Sequence, residues 1–168
     1  DYSSRGTGQW DLMAGGSWNG NGDRPAHPVA WCKIRAGWLN PEIIYNEKKS
    51  VTIEPYASHQ QVYKLPIGNI DSKEYFLLTN RQKTGFDDHL PGAGLIIEHV
   101  DDSISSNTDE NHYLVDIEQC DSARHLNTNT NSGDSTDPFP SGSNSTFTDK
   151  STPSSNAYNG SSSNVLVT

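Results

Sequence analysis

The side chains of this sequence with chemistry to offer are six histidines, several clusters of carboxylates, two cysteines and a single methionine. The histidines are His27, His59, His89, His99, His112 and His125. Zinc favours imidazoles four apart on a helix or otherwise closely spaced, and none of the six shows that pattern. His27 and His99 are expected to make structural hydrogen bonds. The stretches "HVDDS", "EQCD" and "GDSTDPFP" place hard oxygen donors in polar loops, which is the ligand type calcium takes. Asp134 and Asp137, three apart, are the leading calcium candidates, with Asp121 as a third; solvated turn residues are the plainer alternative. Cys32 and Cys120 can pair, or each can serve as a small buried hydrophobe.

The methionine raises a different question. Met13 lies in "GQWDLMAGGSWNGNGD", residues 8 to 23, a glycine-rich turn between Trp10 and Trp18. No helical or strand period runs through it. Taken alone, Met13 plugs a gap. Four apolar residues so close together, Trp10, Leu12, Met13 and Trp18, indicate a loop packed down on the rest of the chain.

The elements that must position these groups follow in order. In "PAHPVAWCKIRAGWLNP", Pro28 suits a first helical turn, Trp31, Ile34 and Trp38 recur at i, i+3 and i+7, and Gly37 with Pro41 marks a stop. The spacing predicts one short amphipathic helix over 28–37, within a helical segment bounded at 28–40. "SVTIEPY", "QVYKLPI", "EYFLLTNR", "AGLIIEHVD" and "HYLVDIEQ" are short β-branched or aromatic runs separated by turn residues. With no helical crossover between them, about five antiparallel strands are expected over 50–120.

From Asn127 to Asn164 there is no Leu, Ile, Val or Met. Such a composition alone would indicate a linker. Phe139, Phe147 and Tyr158 instead predict a long polar loop laid over the sheet and pinned at three points, within a segment 121–168 that ends in the strand-like "NVLVT". The expected fold is α+β, mainly β: the turn segment 1–27, one helix, the sheet, then the polar loop. The four tryptophans, Trp10, Trp18, Trp31 and Trp38, are expected in the core, with an exposed sugar-binding platform as the alternative.

The bulk properties are permissive. At 168 residues the chain fits one domain. Apolar residues make up 32%, against about 45–50% for a globular domain with its glycines counted, so the core must be thin. A net charge of −9 without clustered Lys and Arg disfavours nucleic acid as a partner. No run approaches the ~18 apolar residues of a membrane span. The chain opens on Asp1, without a signal peptide, and reads as a piece of something longer.

A methionine in a tight turn is what the zinc peptidases called metzincins place beneath their metal. Here the surrounding blocks match as well. "WDLMAGGSWNG", "RPAHPVAWCKIRAGWLNP", "KEYFLLTNRQKTGFDDHLPGAGLIIEHVDDS", "HYLVDIEQCDSARHL" and "GDSTDPFP" resemble, in order, the immune inhibitor A-like secreted metallopeptidases of bacteria, peptidase family M6. The resemblance covers nearly the whole chain, and "NRQKTGFDDHLPGAGLIIEHVD" is its most specific part. It implies a zinc endopeptidase acting on protein or peptide substrates, in which an H-E-x-x-H helix supplies two ligands and the general base. Met13 would be the Met-turn residue.

This sequence departs from the family pattern in having no H-E-x-x-H. The expectation is that the zinc ligands and the base lie upstream, so that this portion is inactive alone and holds no catalytic residue. Thr79 and Glu98 stand where the family more often has an acidic and an aromatic residue. Cys32 and Cys120 occupy small-residue positions of the resembling proteins, which favours their pairing. The competing class is an extracellular β-rich module that binds calcium or carbohydrate without catalysis.

Overall fold

The computed structural model describes residues 3–168. Five strands form one sheet in the order β1-β2-β3-β4-β5: Glu42–Ile43, Tyr63–Pro66, Glu74–Arg81, Gly94–Asp101 and Val115–Ile117. The pairs β2–β3, β3–β4 and β4–β5 are antiparallel, while β1 runs parallel to β2 with Glu42 opposite Tyr63. The fold is α+β and mainly β, with two short helices, α1 at Ala30–Arg35 and α2 at Tyr56–His59.

β3 and β4 pair over their full lengths, from Glu74 opposite Asp101 to Arg81 opposite Gly94. Because alternate side chains face opposite ways along a strand, "EYFLLTNR" serves two cores at once. Phe76 and Leu78 pack with Ile97, Phe139 and Phe147 on one face. Tyr75 and Leu77 pack with Val100, Tyr56 and Ala30 on the other. A third cluster joins Trp10, Val29, Leu90, Ile96 and Ile117. The sheet is thus a middle layer, with the glycine-rich turn and α1 on one face and the polar segment on the other.

The polar segment behaves as a strap. Phe139 exchanges both backbone hydrogen bonds with Leu95 at 2.9 Å, Phe147 does the same with Val167, and the Tyr158 ring stacks on His99. Three aromatics therefore supply the burial that the serine- and asparagine-rich sequence lacks.

Several local expectations change. The helix is shorter than 28–40, because Gly37 adopts φ +72 and Trp38 is left 68% exposed. "SVTIEPY" is not a strand: Pro55 precedes α2, and the stretch forms part of the connection that lets β1 and β2 run parallel. β1 itself falls before residue 50. "NVLVT" contributes one bridge, Val167 to Phe147, in place of a strand. Cys32 and Cys120 are both free thiols; they belong to different packing clusters, so the expected pairing is not made.

Candidate functional site

The turn that carries Met13 is built around a buried carboxylate that the sequence reading passed over. Asp11 is 3% exposed. Its Oδ1 accepts the backbone N–H groups of Met13 and Val29, both at 3.1 Å. Its Oδ2 accepts the Thr7 hydroxyl at 3.0 Å. The Asp11 carbonyl oxygen accepts the N–H groups of Ala14 and Gly16. A Cβ at Gly16 would lie 2.6 Å from that carbonyl, so only glycine closes the turn. Met13 is thereby held on a rigid backbone with its side chain 73% exposed. A cavity of about 290 Å³ opens beside it, walled by Asp11, Met13, Val29, Trp31, Asn107 and Leu114.

This exposure corrects the expectation of a loop packed down on all its apolar residues. Trp10 is fully buried, but Met13 and Trp18 point outward. Trp31 is half-buried and donates its indole N–H to Asp102 at 2.9 Å. Of the four tryptophans expected in the core, Trp10 alone is wholly buried.

The same acids organise the start of α1. Val29, at its N-cap, has no side chain able to accept a hydrogen bond. Asp11 takes the Val29 N–H, and Glu98 of β4 takes the Ala30 and Trp31 N–H groups at 2.8 and 3.0 Å. Anions at a helix start are favourable because unpaired N–H groups converge there. Glu98 is nevertheless fully buried, and burial pushes its carboxyl up to about 7. The Cys32 thiol, 3.9 Å from Asp11, is pushed up to about 12 by burial and then by the Asp11 charge. It is a protonated, inert thiol.

Arg81, at the end of β3, ties the turn to the sheet. Its Nε and Nη2 form a fork with both oxygens of Asp87 at 2.9 Å, and Nη1 donates to the Trp10 carbonyl at 3.0 Å. Asp87 also accepts the His27 backbone N–H at 2.8 Å. Arg81 and Asp87 are wholly buried, and the two-pronged contact fixes the guanidinium in one orientation.

The calcium candidates are not brought together as a set. Asp137 is fully buried; its Oδ2 accepts the Trp10 indole N–H at 2.8 Å and the Asp134 N–H at 2.9 Å. Burial pushes its carboxyl up to about 6. Asp121 and Asp134 do meet, and His125 joins them: one ligand atom from each lies within 4.8 Å of the other two. Thr136 bonds Asp121 at 2.7 Å, and Asn131 bonds Asp134 at 2.6 Å. Two carboxylates and an imidazole can hold a divalent cation, but the imidazole moves the donor set away from the all-oxygen shell calcium takes. Among the described residues no other cluster of this type occurs, and the chain has no H-E-x-x-H on which to hold catalytic zinc.

His99 is central to a second arrangement that sequence reading reduced to hydrogen bonding. Its Nδ1 faces Glu118 at 3.1 Å and its Nε2 faces Glu74 at 3.0 Å. No protein-family model, curated protein or solved structure matches this chain.

Proposed function

We propose that this chain is the C-terminal portion of a secreted M6-like zinc metallopeptidase domain, in which the Met13 turn forms the floor beneath a metal centre whose ligands lie upstream. The observation that carries the reading is Met13 itself: the sole methionine, 73% exposed, on a turn locked by Asp11 and beside a cavity walled by Val29, Trp31 and Leu114. A flexible thioether left outside the core on so rigid a backbone suits contact with groups seated above it. The blocks quoted above, which resemble the M6 enzymes in order, support the same reading.

Bound zinc in the whole enzyme would activate water and polarise the scissile carbonyl. The residues of this chain contribute none of its ligands. Asp11 holds the Met13 turn, Glu98 and Asp11 anchor α1 against it, and Arg81 fixes both to the sheet. Trp31 and Leu114 give the cavity an apolar wall suited to a peptide side chain. The cation part of the reading narrows to Asp121, Asp134 and His125, whose imidazole weighs against calcium as the ion, with Asp137 set aside for Trp10.

The test compares this chain with a protein extended upstream. Near-stoichiometric zinc and chelator-sensitive casein hydrolysis in the longer protein, with neither in this chain, supports the proposal. A longer protein that binds no zinc and cleaves nothing, even after removal of a propeptide, favours the extracellular calcium- or carbohydrate-binding module.

A further inference from the structure

His99 is a buried imidazole with a carboxylate at each nitrogen. It is 3% exposed, with Glu118 3.1 Å from Nδ1 and Glu74 3.0 Å from Nε2. A neutral imidazole carries one N–H and one lone pair. Only the doubly protonated ring donates to both acids. A ring that has lost a proton turns a lone pair toward a carboxylate oxygen at hydrogen-bonding distance, and one of the two acids must move.

The strap is fastened to this ring. Tyr158 stacks on His99 with centroids 4.1 Å apart and planes at 11°. The His112 ring also lies 4.1 Å from Tyr158, at 33°. His112 Nε2 is in turn 2.8 Å from Asp101. Below the stack, the Phe76 and His99 ring centroids lie 4.5 Å apart. The Tyr158 backbone N–H donates to the same Glu74 oxygen that faces His99, at 2.7 Å. The ring stack and the strap's main-chain bond therefore converge on one imidazole and its Glu74 partner.

We propose that His99 is a proton-operated latch for the polar strap: Tyr158 is clamped to the sheet while the imidazole carries both protons, and is released when it loses one.

The groups facing the latch agree in sign. β3 presents Glu74; β5 presents Asp116, directly opposite His99 in register and held by Asn127; Glu118 follows β5; and Asp101 reaches His112 from the end of β4 itself. Among these groups only the two imidazoles can carry positive charge. Loss of the His99 proton leaves the half-buried Glu74 and Glu118 without the cation between them and removes that cation from the Tyr158 ring. Burial by itself would lower the imidazole, but the bonds from Glu118 and Glu74 outweigh it and lift His99 to about 9. Because the folded value is raised, the clamp is complete below the ordinary histidine range and is lost as pH climbs through about 9.

This inference is independent of the metallopeptidase reading. Amide hydrogen exchange of the full chain, corrected for intrinsic rates, is to be followed from pH 6 to 10. The peptide spanning residues 155–163 is expected to lose at least about tenfold protection, since one pH unit below the raised value is worth tenfold in the clamped population, while β3 and β4 stay protected. NMR of the His99 ring in the unmutated chain should show titration well above the ordinary range. Tyr158→Phe, which keeps the stacking ring, should preserve the pH dependence; Glu118→Gln should shift it to lower pH. Strap exchange that tracks the sheet at every pH overturns the latch, as does a His99 ring that titrates near its ordinary value.

Discussion

Asp11 and Met13 are joined across the turn by a single hydrogen bond of 3.1 Å from the Met13 N–H to Oδ1, the oxygen that also accepts Val29. The exposed thioether and the first N–H of the α1 cap thus hang from one buried atom. Asp11→Ala leaves the Met13 and Val29 N–H groups and the Thr7 hydroxyl, together with the weaker Cys32 S–H donor, without their acceptor. A buried donor stranded this way costs about 1–3 kcal/mol, so the variant is expected to lose roughly 2–4 kcal/mol of unfolding free energy. Asp11→Asn, which keeps one oxygen, should lose less. Urea titrations of the two variants measure the difference.

Met13 oxidation reports what the turn faces. At 73% exposure the thioether should convert to sulfoxide in dilute peroxide about as fast as in the urea-unfolded chain. In a longer protein that binds zinc, it should slow by roughly tenfold or more as packing excludes oxidant. Mass spectrometry of the peptide containing Met13 reads both rates, and equal rates in the two proteins count against the floor role.

The thiols should be silent. Cys120 is fully buried and Cys32 is held protonated by burial and by Asp11. Two thiols per chain are expected to react with a disulfide reagent in denaturant, and less than about a tenth as fast in the native state.

Trp10→Phe tests the link between the turn and the strap. The substitution keeps an aromatic ring but removes the donor 2.8 Å from Asp137 Oδ2. Asp137 retains the Asp134 N–H on that oxygen, and the expected cost is about 1–3 kcal/mol by urea midpoint.

Acidification from pH 7.5 to 5 should stabilise the chain. Glu98 and Asp116 are raised to about 7 and Asp137 to about 6, each chiefly by burial. An acid whose folded value lies above its unfolded one keeps its proton longer when folded, so stability falls as pH rises from the ordinary carboxylate range to about 7. His99, raised by its two acids, acts in the same direction above its ordinary range, and His27, lowered by burial, has the opposite sign, so one group stands against four. The unfolding free energy at pH 5 should exceed that at pH 7.5 by about 1 kcal/mol or more. Glu98→Gln should flatten the profile while weakening the chain at both ends, since an amide cannot accept both the Ala30 and Trp31 N–H groups.

What this sequence determined by itself is the middle layer. "EYFLLTNR" and "AGLIIEHVD" became β3 and β4 nearly residue for residue, because an apolar run of strand length with both faces to bury has few other ways to leave water. The aromatics spaced through the polar segment likewise announced where it would be pinned. The site was less legible. A carboxylate in "GLIIEHV" carries no mark that it will cap a helix 68 positions away, and Asp137 looked as good a cation ligand as Asp134 until Trp10 claimed it. Strand and helix signals are short-range properties of the chain. The partner of each buried polar group is settled only when the core closes and water is excluded, because each must then pair with whatever the packing has placed within reach.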